Sequence, residues 1–149
     1  TLRGTTVVPA PQTFLGGESS RDWTLLRAST NPAAQFGWLA LEPADPQANE
    51  SLYVPSHAGG RPQELTSGPA RGVLGFPGSS HFQHRCDTEP GSSGAPVLRE
   101  GSHCVVGLHT HGACLLQDPN SGNWAARMAV LVPILLRLEP SLALCGTGG

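Results

Sequence analysis

Short apolar or β-branched runs recur along this chain at nearly even intervals, and that rhythm most narrows the folds open to it. The runs fall at residues 5–8, 23–27, 37–41, 52–54, 71–76, 81–86, 95–98 and 104–109, with breakers such as Gly59-Gly60, Pro77-Gly78 and residues 120–122 between them. Short strands punctuated in this way predict antiparallel strands wound into a barrel or sandwich. The 19 Gly and 14 Pro in 149 residues serve that pattern, since they show neither a collagen period nor the polarity of a disordered tract. Only the end differs. Residues 125–130 read as one more strand, and 132–138 as a short helix with Pro133 in its first turn and Pro140 ending it. Residues 42–50 are polar, carry two prolines and read as a loop between subdomains or a surface excursion.

The length suffices for one well-buried domain. All nine basic residues are Arg and the formal net charge is −2, which argues against a nucleic-acid surface or a basic membrane anchor. The apolar run at 128–136 is too short to span a bilayer. Cys86, Cys104, Cys114 and Cys145 permit two disulfides in any of three connectivities, so a secreted or extracytoplasmic setting is slightly favoured over a cytoplasmic one. His84, Cys86, His109, His111 and Cys114 are zinc-ligand types, but their spacing matches no compact zinc pattern. No metal is expected.

The segment Gly91-Ser92-Ser93-Gly94-Ala95-Pro96 sets small residues on both sides of a serine, directly before a strand. A serine that attacks a carbonyl needs two backbone N–H groups aimed at the developing oxyanion, and only a tight loop without bulky side chains admits the substrate to them. Gly91 and Ser93 would supply those donors. From Thr88 through Pro96 and Val97 the segment resembles the nucleophile motif of trypsin-like serine endopeptidases, most closely the bacterial glutamyl and lysyl endopeptidase families. The stretch 104–112, with its Val-Val-Gly-Leu-His core, resembles the strand that follows the nucleophile there. Asp22-Trp23-Thr24-Leu25-Leu26 resembles the segment in which the catalytic aspartate precedes a buried strand.

The resemblance implies an all-β, chymotrypsin-like double β-barrel with a short C-terminal helix, the C-terminal barrel complete and the N-terminal one only partly present. Residues 1–30 would be the last strands of the N-terminal barrel, carrying Asp22. Residues 31–149 would form the C-terminal barrel with Ser93 and the specificity pocket. It also implies a peptide or protein substrate, an acyl-enzyme mechanism and no cofactor. In this fold the catalytic order is His, Asp, Ser, yet no histidine precedes Asp22; the six present are His57, His81, His84, His103, His109 and His111. His57 lies in a Gly-rich stretch, 56–60, that resembles a surface loop of the family. Two strands cannot bury their own apolar face, so Val7, Val8, Phe14, Trp23, Leu25 and Leu26 should be exposed unless a partner completes the barrel. The expectation is a cleaved two-chain enzyme whose N-terminal fragment or chain supplies the histidine; the rival is a catalytically inactive, protease-like binding or regulatory module.

In the glutamyl family a threonine five residues before the nucleophile and a histidine in a Gly-(Ile/Leu)-His strand line the pocket for the substrate side chain. Thr88 and His109 match those positions, and both can donate hydrogen bonds to a carboxylate. An acidic preference at P1 follows. A lysyl preference would need an added acid, and Asp118 does not match the family position.

Overall fold

The computed structural model describes residues 12–72, 79–112 and 121–146. Their elements are β1 (Gln12–Glu18), β2 (Trp23–Ala28), α1 (Ala33–Phe36), β3 (Ser51–Ser56), β4 (Glu64–Gly72), β5 (His81–His84), β6 (Pro96–Arg99), β7 (Val105–His111), β8 (Asn123–Arg127) and α2 (Met128–Leu138). Strand alternation sets inside from outside. On β3, Leu52, Val54 and Ser56 are buried while Tyr53 and Pro55 are half-buried. Six strands close into an antiparallel barrel in the order β3-β4-β5-β8-β7-β6, with β6 pairing back to β3. Closure removes the unpaired edges that an open sheet would expose.

Leu52, Val54, Ala70, Phe82, Cys86, Val97, Val106 and Ala125 fill the barrel. A second cluster, formed by Leu98, Val105, Ala126, Met128, Leu131, Val132 and Leu135, packs α2 on the outer wall. Trp23 joins that second cluster at 8% exposure, which corrects the expectation that it needs an outside partner. Its hairpin, β1-β2, is otherwise a separate two-stranded sheet. Phe14 and Leu26 remain 66% and 46% exposed, as two strands alone require, and Leu25 is half-buried. Val7 and Val8 lie outside the described residues.

The sequence reading and the structure part at several places, and β1 (Gln12–Glu18) forms where no strand was expected. The run 37–41 forms no strand: only Leu41 pairs, in isolated parallel bridges to Val105 and Leu144. Strand β8 ends at Arg127, whose guanidinium binds Asp45 and the Ser79 carbonyl, and Met128 and Ala129 start α2 instead of prolonging the strand. Pro133 consequently sits in the second turn of α2, not the first. Strand β4 begins well before the expected run 71–76, of which 73–76 lies outside the described residues, as does the expected strand 5–8. The polar stretch 42–50 is strapped to the barrel: Arg99 binds both Glu42 and Glu50, Arg127 binds Asp45, and Pro46 is buried. Cys104 and Cys145 form a disulfide beside the Leu41 bridges, and Cys86 is a buried free thiol. Cys114 lies outside the described residues.

Candidate functional site

Loop chemistry presents Ser93. The Ser92 N–H donates to the Glu89 carbonyl at 3.0 Å, closing a four-residue turn with Pro90 second and Gly91 third. Gly91 has φ +101°, the sign a type II turn demands at its third position and one that glycine adopts without strain. Gly94 follows at φ +87°, so Ser93 stands between two glycines in left-handed conformations. The Gly94 N–H donates to the His109 carbonyl at 2.8 Å and the His109 N–H to the Ala95 carbonyl at 2.9 Å, which pins the loop to β7. Ser92 is buried and its hydroxyl donates to Ser56 Oγ at 3.1 Å, whereas Ser93 is exposed. Among the described residues, the N–H groups of Gly91 and Ser93 have no intramolecular acceptor. Two free donors flanking an exposed hydroxyl can receive an oxyanion. The Ser93 hydroxyl itself donates to the Thr110 carbonyl at 2.9 Å.

Asp22 ends the loop that joins β1 to β2. Its N–H donates to the Ser19 carbonyl at 3.2 Å and its φ is +54°, a conformation that Asp tolerates better than most residues. Trp23, buried beside it, anchors this end of the hairpin, while Asp22 itself is exposed. Asp22 and Ser93 line one cavity of about 370 Å3, together with Trp23, Thr24, Gly94 and Leu108. Among the described residues, no histidine lines it. A second cavity of about 270 Å3 on the Ser93 loop is lined by Gly91, Ser93, His57 and Gln63 among others. His57 does not bond Ser93; its Nδ1–H donates to the Arg61 carbonyl at 3.1 Å.

Thr88 and His109 line neither cavity. His109 is 3% exposed, and its Nδ1 lies 3.2 Å from Nε2 of His84, a buried residue on β5. Strand β8 separates β5 from β7; His84 lies opposite Asn123 and His109 opposite Ala125 on it, so the two imidazoles meet diagonally over that strand. Burial, and then His109, pushes the His84 pKa down to about 3. Burial, and then His111, lowers that of His109 as well. Two neutral rings result. Among the described residues, His84 Nδ1 and Thr88 Oγ1 are buried without a hydrogen-bond partner. If the bare His84 Nδ1 is a lone pair, His84 Nε2–H donates to His109 Nδ1 and leaves the His109 Nε2–H as a donor.

The cluster extends outward, since His81 meets His111 edge to face at 6.2 Å and His111 stacks on Trp124 at 6.2 Å. His81 is lowered chiefly by burial and then by His111, against the opposing pull of the Asp22 carboxylate. Sequence reasoning assigned His81, His84 and His111 no place in the site. Their signal was the pair of spacings, 81 with 84 and 109 with 111, but only strand order brings the two pairs together.

The trypsin-like peptidase domain family matches residues 2–108. The chain is similar to Secreted RxLR effector protein 73 of Plasmopara viticola, at 29% identity over 109 residues, or 68% of this chain and 27% of that protein. In fold it is similar to a serine endoprotease from Yersinia pestis, with a TM-score of 0.67 and 14% identity over 87% of this chain and 44% of that one. It is similar also to the HtrA-type protease AlgW with a decapeptide, with a TM-score of 0.70 and 12% identity over 87% of this chain and 41% of that one. The chain therefore spans about a quarter of the effector protein and less than half of either of these two structures.

Proposed function

Because the chain belongs to the trypsin-like peptidase domain family, we propose that it is the Asp- and Ser-bearing part of a serine endopeptidase whose histidine comes from polypeptide outside this chain. The observation that carries the reading is one cavity shared by Asp22 and an exposed Ser93, beside two free backbone donors. In the mechanism, an imidazole in that cavity takes the Ser93 proton as Oγ bonds to the scissile carbonyl carbon. The oxyanion forms against the N–H groups of Gly91 and Ser93, each such donor being worth about 3–4 kcal/mol in the transition state. The imidazolium returns its proton to the leaving amine, and water then hydrolyses the acyl-enzyme by the same route. Asp22 holds the imidazole tautomer and stabilises its charged form. The Ser93 hydroxyl must turn from the Thr110 carbonyl to that imidazole.

Thr88 and His109 support an acidic preference at P1. Thr88 Oγ1 has no partner among the described residues, and in the tautomer that leaves His84 Nδ1 bare the His109 Nε2–H is a donor. A carboxylate accepts such bonds, whereas an ammonium cannot.

The test is labelling by a fluorophosphonate probe in full-length protein that includes the histidine-bearing segment or chain. Labelling at Ser93 is expected, with its loss in Ser93→Ala and a fall of roughly 10^4-fold in kcat in Asp22→Asn. Fluorogenic peptides with Glu, Asp, Lys or Arg at P1 then read the pocket. An unlabelled full-length protein would instead make this a protease-like binding or regulatory module.

A further inference from the structure

One half of the oxyanion site is the N–H of Gly91, and that N–H belongs to the peptide unit joining Pro90 to Gly91. A type II turn becomes a type I turn by rotating this central peptide through half a circle, as ψ of the second residue goes from about +120° to about −30° and φ of the third from about +80° to about −90°. Glycine at the third position makes both forms accessible. After such a flip the Pro90 carbonyl would face the place the Gly91 N–H now serves. A donor would be replaced by an acceptor that repels an oxyanion.

The neighbouring loop holds the peptide against that flip. The Gly59 N–H donates to the Pro90 carbonyl at 2.9 Å. Carbonyl and N–H of one peptide point in opposite directions, so fixing the Pro90 oxygen fixes the Gly91 N–H on the far side. The approach is close: a Cβ placed on Gly91 would lie 3.0 Å from Gly59 N. Gly59 has φ +59° in a single 3-10 turn, Ala58–Gly60, closed by Gly60 N–H to His57 O and Arg61 N–H to Ala58 O, each 3.1 Å. Ala58 is buried beneath it at 4% exposure. Arg61 then spans both loops, with Nη2 at 3.0 Å from Glu64 Oε2 and 3.0 Å from Glu89 Oε2, and Glu89 is the first residue of the Pro90-Gly91 turn. The grip is thus twofold, on the turn's first side chain and on its central carbonyl.

Building on the peptidase reading above, we propose that Gly59 and Arg61 are positioning residues that latch the Pro90–Gly91 peptide in the orientation presenting the Gly91 N–H to the oxyanion. The latch touches no substrate atom and acts through Gly91 alone.

The test uses full-length protein with its histidine-bearing segment or chain. Valine at a left-handed φ is strained, so Gly59→Val combined with Arg61→Met should release the carbonyl. The expected result is a fall in kcat approaching the roughly 10^2- to 10^3-fold cost of one lost oxyanion donor, with KM unchanged and the protein still folded, at a somewhat lower thermal midpoint. A peptide aldehyde, which needs the oxyanion site, should lose affinity in parallel. Gly59→Asn keeps the N–H and tolerates positive φ, so it should retain activity, and Arg61→Met alone should cost less than the double variant. If the double variant fails to fold, Arg61→Met carries the test: unchanged kcat there overturns the latch. Unchanged kcat in a folded double variant also overturns it, as does a Gly59→Asn variant that loses kcat, KM and thermal midpoint together. A wild-type protein unlabelled at Ser93 overturns the peptidase reading and the latch with it, whereas equal labelling of wild type and double variant overturns the latch alone.

Discussion

His84 is the residue whose environment departs furthest from what its type suggests: a titratable ring enclosed in the barrel wall against a second imidazole. Its folded pKa lies near 3, below the ordinary 6.5. Between those values the unfolded chain binds a proton that the folded chain excludes, so stability is complete above about pH 6.5 and falls as the pH drops toward 3. The slope from this group is about 1.4 kcal/mol per pH unit. Urea titrations at pH 7 and pH 5 should show the loss, and His84→Gln should flatten it; an unaltered slope in the variant would place the acid sensitivity elsewhere. The same burial pushes the Cys86 thiol up to about 12, which leaves it a packing residue rather than a nucleophile. Ser93, Gly91 and Gly94 were legible as residues, because a small-residue loop around a serine has a chemical reason. The pairing of His84 with His109 was not, since it crosses an intervening strand.

Among the elements, the junction of β4 with the segment after β5 is the least forgiving. A Cβ on Gly68 would lie 2.4 Å from the Arg85 carbonyl oxygen and 2.7 Å from the Cys86 nitrogen, both backbone atoms that cannot swing aside. Gly68→Ala should destabilise the barrel by about 1–3 kcal/mol or more, read as a lowered urea midpoint; an unchanged midpoint would mean that β4 can slide. Strand identity was largely visible in the short apolar or β-branched runs that fall on β3, β5, β6 and β7. The missed elements have specific causes. The apolar side chains of 37–41 led to a strand assignment, yet Trp38 and Leu39 are 73% and 47% exposed, and only Leu41 forms β-bridges. Strand β1 carries Gly16 and Gly17, which weaken any strand signal, and it forms only because β2 pairs with it.

At the scale of the molecule, the Cys104–Cys145 bridge joins the start of β7 to the tail beyond α2 across 41 residues of sequence. Closing a loop of that length stabilises by about 4 kcal/mol through the unfolded chain. Cys145→Ser, or reduction with dithiothreitol, should lower the urea midpoint accordingly, and equal midpoints with and without reductant would show that α2 docks by its apolar face alone. The hairpin β1-β2 is tied to the barrel side by Trp23 and by the ion pair of Arg27 with Glu139, while Phe14 and Leu26 stay uncovered. By itself the sequence determined the all-β class, the serine loop and the order of Asp22 before Ser93, because turn chemistry and strand period act over a few neighbouring residues. Only the tertiary structure decided which cysteines pair, that Trp23 is buried, that Asp22 and Ser93 share a cavity, and that Gly59 reaches the Pro90 carbonyl. Each of these joins residues far apart in the chain, and their meeting depends on how the strands close into a barrel rather than on any local preference.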